Sequence, residues 1–156
     1  MVFYELGIIF RDVPIISKQY YKEYGMALDP TLRTGFLSAL MSFASEVFSD
    51  EIDSFIMKNF KIVILSRPLI KASEDSTQPE RRPHYIIVYG IGNKKLKLKT
   101  AKKALTKVLE EFLQQYGTLE NWAGDIDMFA KFLPVFDEIL GDLAKKPDDR
   151  LRSLFR

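Results

Sequence analysis

The sequence predicts an α+β domain of two or three layers, centred on a five-stranded, mainly antiparallel sheet. Three observations predict it. Short runs of β-formers occur in neighbouring groups with tight connections, so they pair locally. Longer spans carry apolar residues at i, i+3, i+4 and i+7, the spacing of helices with a covered face. The two kinds follow one another as β-β-α-β-β-β-α-α, an order that lays helices against a sheet. At 156 residues the chain is one domain's worth of protein. That domain is expected over residues 1–144, with 145–156 as a short basic tail.

Residues 2–11 alternate loosely through Phe3, Leu6, Ile8 and Phe10 and read as the first strand. Residues 13–21 follow across the short connection Arg11-Asp12-Val13, so the pair is a hairpin. Pro14 has no N–H to give a ladder, which puts this second strand at a sheet edge. Asp29-Pro30 starts a helix, with Asp29 accepting from free backbone N–H groups and Pro30 pre-set for the first turn. That helix, residues 31–48, carries the row Leu32, Phe36, Leu40, Phe43 and Val47 beside a second row, Leu37, Met41, Ala44 and Phe48. Only Arg33 and Glu46 are charged, and the apolar breadth exceeds what a one-sided surface helix needs.

Residues 52–57 and 60–65 form a hairpin about Lys58-Asn59. Residues 67–84, with Pro68, Pro79 and Pro83, read as a loop. Residues 85–91 are an almost continuous apolar run, hence a central strand covered on both faces. Residues 99–116 fit the helical template throughout and stop at Gly117. A third helix begins at Asp125 or Asp127, and Pro134 inside it predicts a kink or break.

Composition narrows the chemistry. With no cysteine and one histidine, disulfides, thiolate nucleophiles, iron–sulfur clusters and multi-histidine metal sites are excluded. The longest apolar runs are four or five residues, against the ~18 of a membrane span. The start Met-Val-Phe-Tyr-Glu-Leu has no basic region of a signal peptide, so a cytoplasmic location is expected. There is no P-loop, and Gly90-Ile-Gly92-Asn-Lys94 lacks the third glycine of a dinucleotide fingerprint. Gly90 and Gly92 are expected to let the chain leave the sheet. His84 has no nucleophile or acid partner at motif spacing, and Ser38, Ser42 and Ser45 lack a nucleophile elbow. Asp125 and Asp127 lack the glycine and terminal glutamate of a calcium loop and read as helix caps. Neither enzymatic chemistry nor a cofactor is expected.

The net charge of +2 hides a polarised chain. Lys94, Lys95, Lys97, Lys99, Lys102, Lys103 and Lys107 are seven lysines in fourteen residues with no acid among them. Residues 108–142 hold eight acids against Lys131. The first six lysines form the expected surface for an acidic protein or anionic lipid headgroups. Nucleic acid is not expected, because the cluster lacks arginines and interleaved aromatics.

The stretch Leu32-Arg-Thr-Gly-Phe-Leu-Ser-Ala-Leu-Met-Ser-Phe-Ala-Ser-Glu-Val-Phe48 leads into Ile52-Asp-Ser-Phe-Ile-Met-Lys-Asn-Phe-Lys-Ile-Val-Ile-Leu65. Together with the element order, it resembles archaeal longin-like proteins, in which a Gly-Phe-Leu-x-Ala first helix precedes such a hairpin. The resemblance covers residues 2–143. The roadblock fold is a near relative that usually begins with a helix, and the two leading strands here favour longin. The resemblance implies a profilin-like fold and a non-enzymatic scaffold in small-GTPase regulation or membrane-trafficking-like assembly, with no catalytic motif to carry over. The implied partner is a longin or roadblock chain, a small GTPase or a second copy. Phe36, Leu40, Phe43 and Val47 of the first helix, with Ile15 and Ser17 at the edge of the second strand, are the expected partner surface. The alternative expectations are a small-molecule sensing domain of the profilin-like or PAS-like kind and, less specified, an enzyme whose site is assembled from scattered carboxylates and lysines.

Overall fold

Phe10 pairs directly with Val13, so the first two strands are joined by Arg11 and Asp12 alone. Both residues have positive φ, 51° and 59°, the type I′ geometry whose twist matches flanking strands. Asparagine, aspartate or glycine usually fills such a turn, so Asp12 suits it and Arg11 is the unusual residue. This computed structural model describes residues 3–20, 30–48, 53–69, 84–117, 119, 122 and 124–141. The expected Asp29 cap, most of the predicted 67–84 loop, Leu143 and the tail lie outside them.

The elements are β1 (Phe3–Phe10), β2 (Val13–Gln19), α1 (Pro30–Phe48), β3 (Ser54–Ile56), β4 (Lys61–Leu69), β5 (His84–Gly92), α2 (Leu98–Tyr116), a 3-10 segment (Asp127–Phe132) and α3 (Leu133–Leu140). The strands form one sheet in the order β2-β1-β5-β4-β3, every neighbouring pair antiparallel. The α+β class and the element order are those the sequence predicts. β5 lies at the centre, which is why both its faces are apolar, and Pro14 lies on the outermost strand, where a missing donor does least harm.

Helices cover both faces. On one, Leu6, Ile8, Phe10, Val63, Ile86 and Val88 pack against α2 and the last helical segments through Ala101, Leu105, Val108, Phe112, Phe129, Phe132 and Phe136. On the other, Tyr4, Ile9, Ile62, Ile64, Ile87, Tyr89 and Ile91 meet Leu37 and Met41 of α1. Tyr89 lies over Gly7, where an added β-carbon would come within 2.5 Å of its ring. Its hydroxyl donates to Glu5 Oε2 at 2.9 Å, and Glu5 is fully buried.

Two expectations are corrected, and a third is met. β4 runs on to Leu69, pairing Arg67, Pro68 and Leu69 with Ile86, Tyr85 and His84, so the loop begins later than Arg67. Pro68 is tolerated because β3 accompanies β4 only from Lys61 to Val63, leaving one side open farther along. Gly90 is not an exit from the sheet: it lies within β5, and the Phe3 ring occupies the space of its missing β-carbon. The third helix divides at Pro134, as the ring demands, into the 3-10 segment and α3, with the proline in the first turn of α3. Asp125, expected as a cap, lies one residue ahead of the cap position Ile126 and accepts from the Asp127 N–H at 3.0 Å.

α3 is tied to the edge strand by polar contacts. Lys18 Nζ lies 2.8 and 2.7 Å from the two Asp137 oxygens, and the Tyr20 hydroxyl donates to Asp137 Oδ1 at 2.9 Å. Burial first, then the Asp137 carboxylate, pushes the Tyr20 phenol well above its ordinary 10.0. The folded state therefore holds the phenolic proton more tightly than the unfolded chain. The resulting stability is complete below pH ~10 and falls as pH rises beyond it. Urea unfolding across the alkaline range should show this slope, and Tyr20→Phe should flatten it. An unchanged slope in the variant would show that Tyr20 is not its source.

Candidate interaction surfaces

The geometry of α1 follows from its two rows. Thr34, Leu37, Met41 and Ala44, at i, i+3, i+7 and i+10, form the sheet-facing line: Thr34, Leu37 and Ala44 are buried and Met41 half-buried. The row Leu32, Phe36, Leu40, Phe43 and Val47 turns outward. Leu32, Phe36, Phe43 and Val47 are 62, 49, 57 and 57% exposed, and Leu40 is half-buried. Gly35, Ala39, Ser42 and Ser45 lie exposed among them, and Glu46 is the one charged side chain described on the helix. The Phe36 ring meets Phe55 of β3 edge-on at 6.0 Å, so the apolar row continues onto the sheet margin. An apolar face with so little charge is cheap to desolvate and costly to leave in water.

The second-strand residues behave differently from expectation. Ile15 is not a surface residue: its side chain is buried in the core with α2 and α3. The cause is a bulge. Ile8 pairs with Ile16 and Ile9 with Pro14, so Ile15 is an extra residue and its side chain joins that of Ile16 on the same face. Ser17, opposite Gly7, is half-buried on the α1 side. The bulge and Pro14 are both devices that blunt an edge against strand addition, so the helix row is the better surface.

The lysine cluster sits where β5 turns into α2. Lys94, Lys95, Lys97, Lys99, Lys103 and Lys107 are exposed. Lys102 is half-buried and pairs with Asp53, which fastens the first turns of α2 beside β3. Ile56 and Met57, on the hairpin between β3 and β4, are also exposed, and sequence reasoning had no means to see it: short strands give no periodicity to show which residues the helices miss. Among the described residues no three His, Asp or Glu side chains come together as metal ligands, and no helix is long and apolar enough to cross a membrane. His84 stands at the start of β5, its side chain outside what is described. No family model matches the sequence, and no curated protein matches it.

Proposed function

We propose that this chain is a non-enzymatic protein-interaction module of the longin type that presents the outer row of α1 to another protein. The observation that carries this reading is the exposure of Leu32, Phe36, Phe43 and Val47 on one nearly uncharged helix face. The element order and the first-helix resemblance support the longin assignment, with the roadblock fold as its relative. On this reading the partner is a small GTPase, a longin or roadblock chain or a second copy, and the assembly is regulatory or trafficking-like, in the cytoplasm. The chain needs no cofactor for it.

Magnitudes define what the partner must bring. A Val, Leu or Phe side chain gains about 1.5–3 kcal/mol when fully buried, so four half-exposed ones offer roughly 3–6 kcal/mol. Association alone costs about 4–15 kcal/mol. A stable complex must therefore extend past the row, and Phe55 at the β3 margin is the natural continuation. The test is the double variant Phe43→Asp, Val47→Asp, studied by multi-angle light scattering and by pull-down from native extract. Both positions are exposed, so far-ultraviolet circular dichroism should be unchanged. The wild type should form a homodimer or retain a small GTPase or a like-folded chain, and the variant should be a monomer that retains neither. Equal mass and equal capture for both proteins would overturn the reading.

A further inference from the structure

We infer that the end of the sheet formed by the β3–β4 and β5–α2 turns is a docking surface for an anionic lipid bilayer. Strand register brings the two turns together. Phe3 pairs with Gly92, Gly92 with Lys61, and Lys61 with Ile56, so four strands finish in one row. From that row project Met57-Lys58-Asn59 on one side and Asn93-Lys94-Lys95 on the other, with Lys97 and Lys99 following at the start of α2. Met57 N–H donates to the Phe60 carbonyl at 2.8 Å, which closes the first turn tightly and holds its tip forward.

The side chains at this end are of two kinds. Lys58, Lys94, Lys95, Lys97 and Lys99 are exposed, and Lys61 is half-exposed. Positions 54–61 and 90–107 contain no acid. Beside the lysines stand Ile56 and Met57, 68% and 44% exposed; Ile56 points away from the sheet face covered by α1, because Phe55, the next residue on the strand, packs there. Lysines alone would suit any polyanion. Apolar side chains projecting among them gain only where an apolar medium lies behind the negative charge, which is the profile of a bilayer surface. Methionine adapts to such a medium at little conformational cost. The choice of lysine over arginine agrees: compact, strongly hydrated ammonium groups answer a diffuse surface potential, whereas bidentate grip on a single phosphate calls for guanidinium.

This surface adjoins Phe55 at the margin of the α1 row, but Ile56 faces the other way and the lysines lie on the β5–α2 turn, so its vesicle test does not depend on the proposed protein partner. Its test is sedimentation of the full chain with vesicles of phosphatidylcholine alone and of phosphatidylcholine mixed equally with phosphatidylglycerol. The wild type should sediment with the mixed vesicles only, and less at high salt. Replacing Lys94, Lys95, Lys97 and Lys99 by Glu should weaken binding about a hundredfold or more, since each lysine near an anionic surface contributes about fivefold. All four side chains are exposed, and acids at Lys97 and Lys99, the cap and first turn of α2, suit the helix dipole, so this variant should keep its fold, as far-ultraviolet circular dichroism would show. Ile56→Ser with Met57→Ser should weaken binding about tenfold at unchanged charge. Failure of the wild type to bind mixed vesicles, or wild-type binding by either of the two multiple variants, would overturn the proposal. So would equal capture of the wild type and the Ile56→Ser, Met57→Ser variant by soluble polyglutamate together with equal vesicle binding, which would mark the surface as one for an acidic protein.

Discussion

Phe112→Ala is expected to lower the free energy of unfolding by about 3–5 kcal/mol, the usual loss for a large aromatic removed from a core. Phe112 is fully buried on α2, and its ring lies 4.8 Å from Tyr116, 5.5 Å from Phe129 and 5.3 Å from Phe132. Two of those partners belong to the 3-10 segment and the third to α2 itself. The segment and α3 span six and eight residues, too short to hold helical structure without tertiary support. Removing the ring thus leaves a cavity and also loosens the layer that covers one sheet face. A domain of this size has roughly 5–15 kcal/mol of stability in all, so the variant forfeits a large share. Urea unfolding of both proteins measures the difference. A loss below about 1 kcal/mol would show that the aromatic cluster is not what anchors the final helices.

The parts of this fold that were legible in the sequence are those where one periodicity runs unopposed. α2 carries its apolar residues at helical spacing for five turns, and β5 is apolar on both faces because it is the middle strand of five. Pro14 and Pro134 spoke plainly too, since a missing N–H restricts where a residue can sit. What could not be read were local departures from period. The bulge at Ile15 puts its side chain on the same face as Ile16, whereas alternation alone assigns it to the opposite face, the one that α1 covers. The end of β4 at Leu69 depends on which strand stops beside it, a matter of pairing and not of composition. The breadth of α1 was visible, as was the lysine cluster, because both are properties of a single segment. That Ile56 and Met57 stand beside those lysines depends on strand register across four strands, which no single segment encodes.

Gly7→Ala should destabilise the protein by about 2–5 kcal/mol, although alanine in a strand ordinarily gains roughly 0.5–1 kcal/mol over glycine. The methyl group would lie 2.5 Å from the Tyr89 ring, far inside contact distance, so the ring must shift. Crowding of this kind costs about 1–3 kcal/mol. The shift also draws the Tyr89 hydroxyl away from Glu5, and a hydrogen bond to a buried carboxylate is worth about 1.5–3 kcal/mol. The two losses share one cause, which makes them separable by a double-mutant cycle. Tyr89→Phe alone should cost about the hydrogen bond. Combined with Gly7→Ala it should cost clearly less than the sum, with a coupling of about 0.5–3 kcal/mol, because the first change has already broken the contact. Additive losses would mean that the ring accommodates the methyl without leaving Glu5. The glycine is then required only for space, and the polar contact under α1 is independent of it.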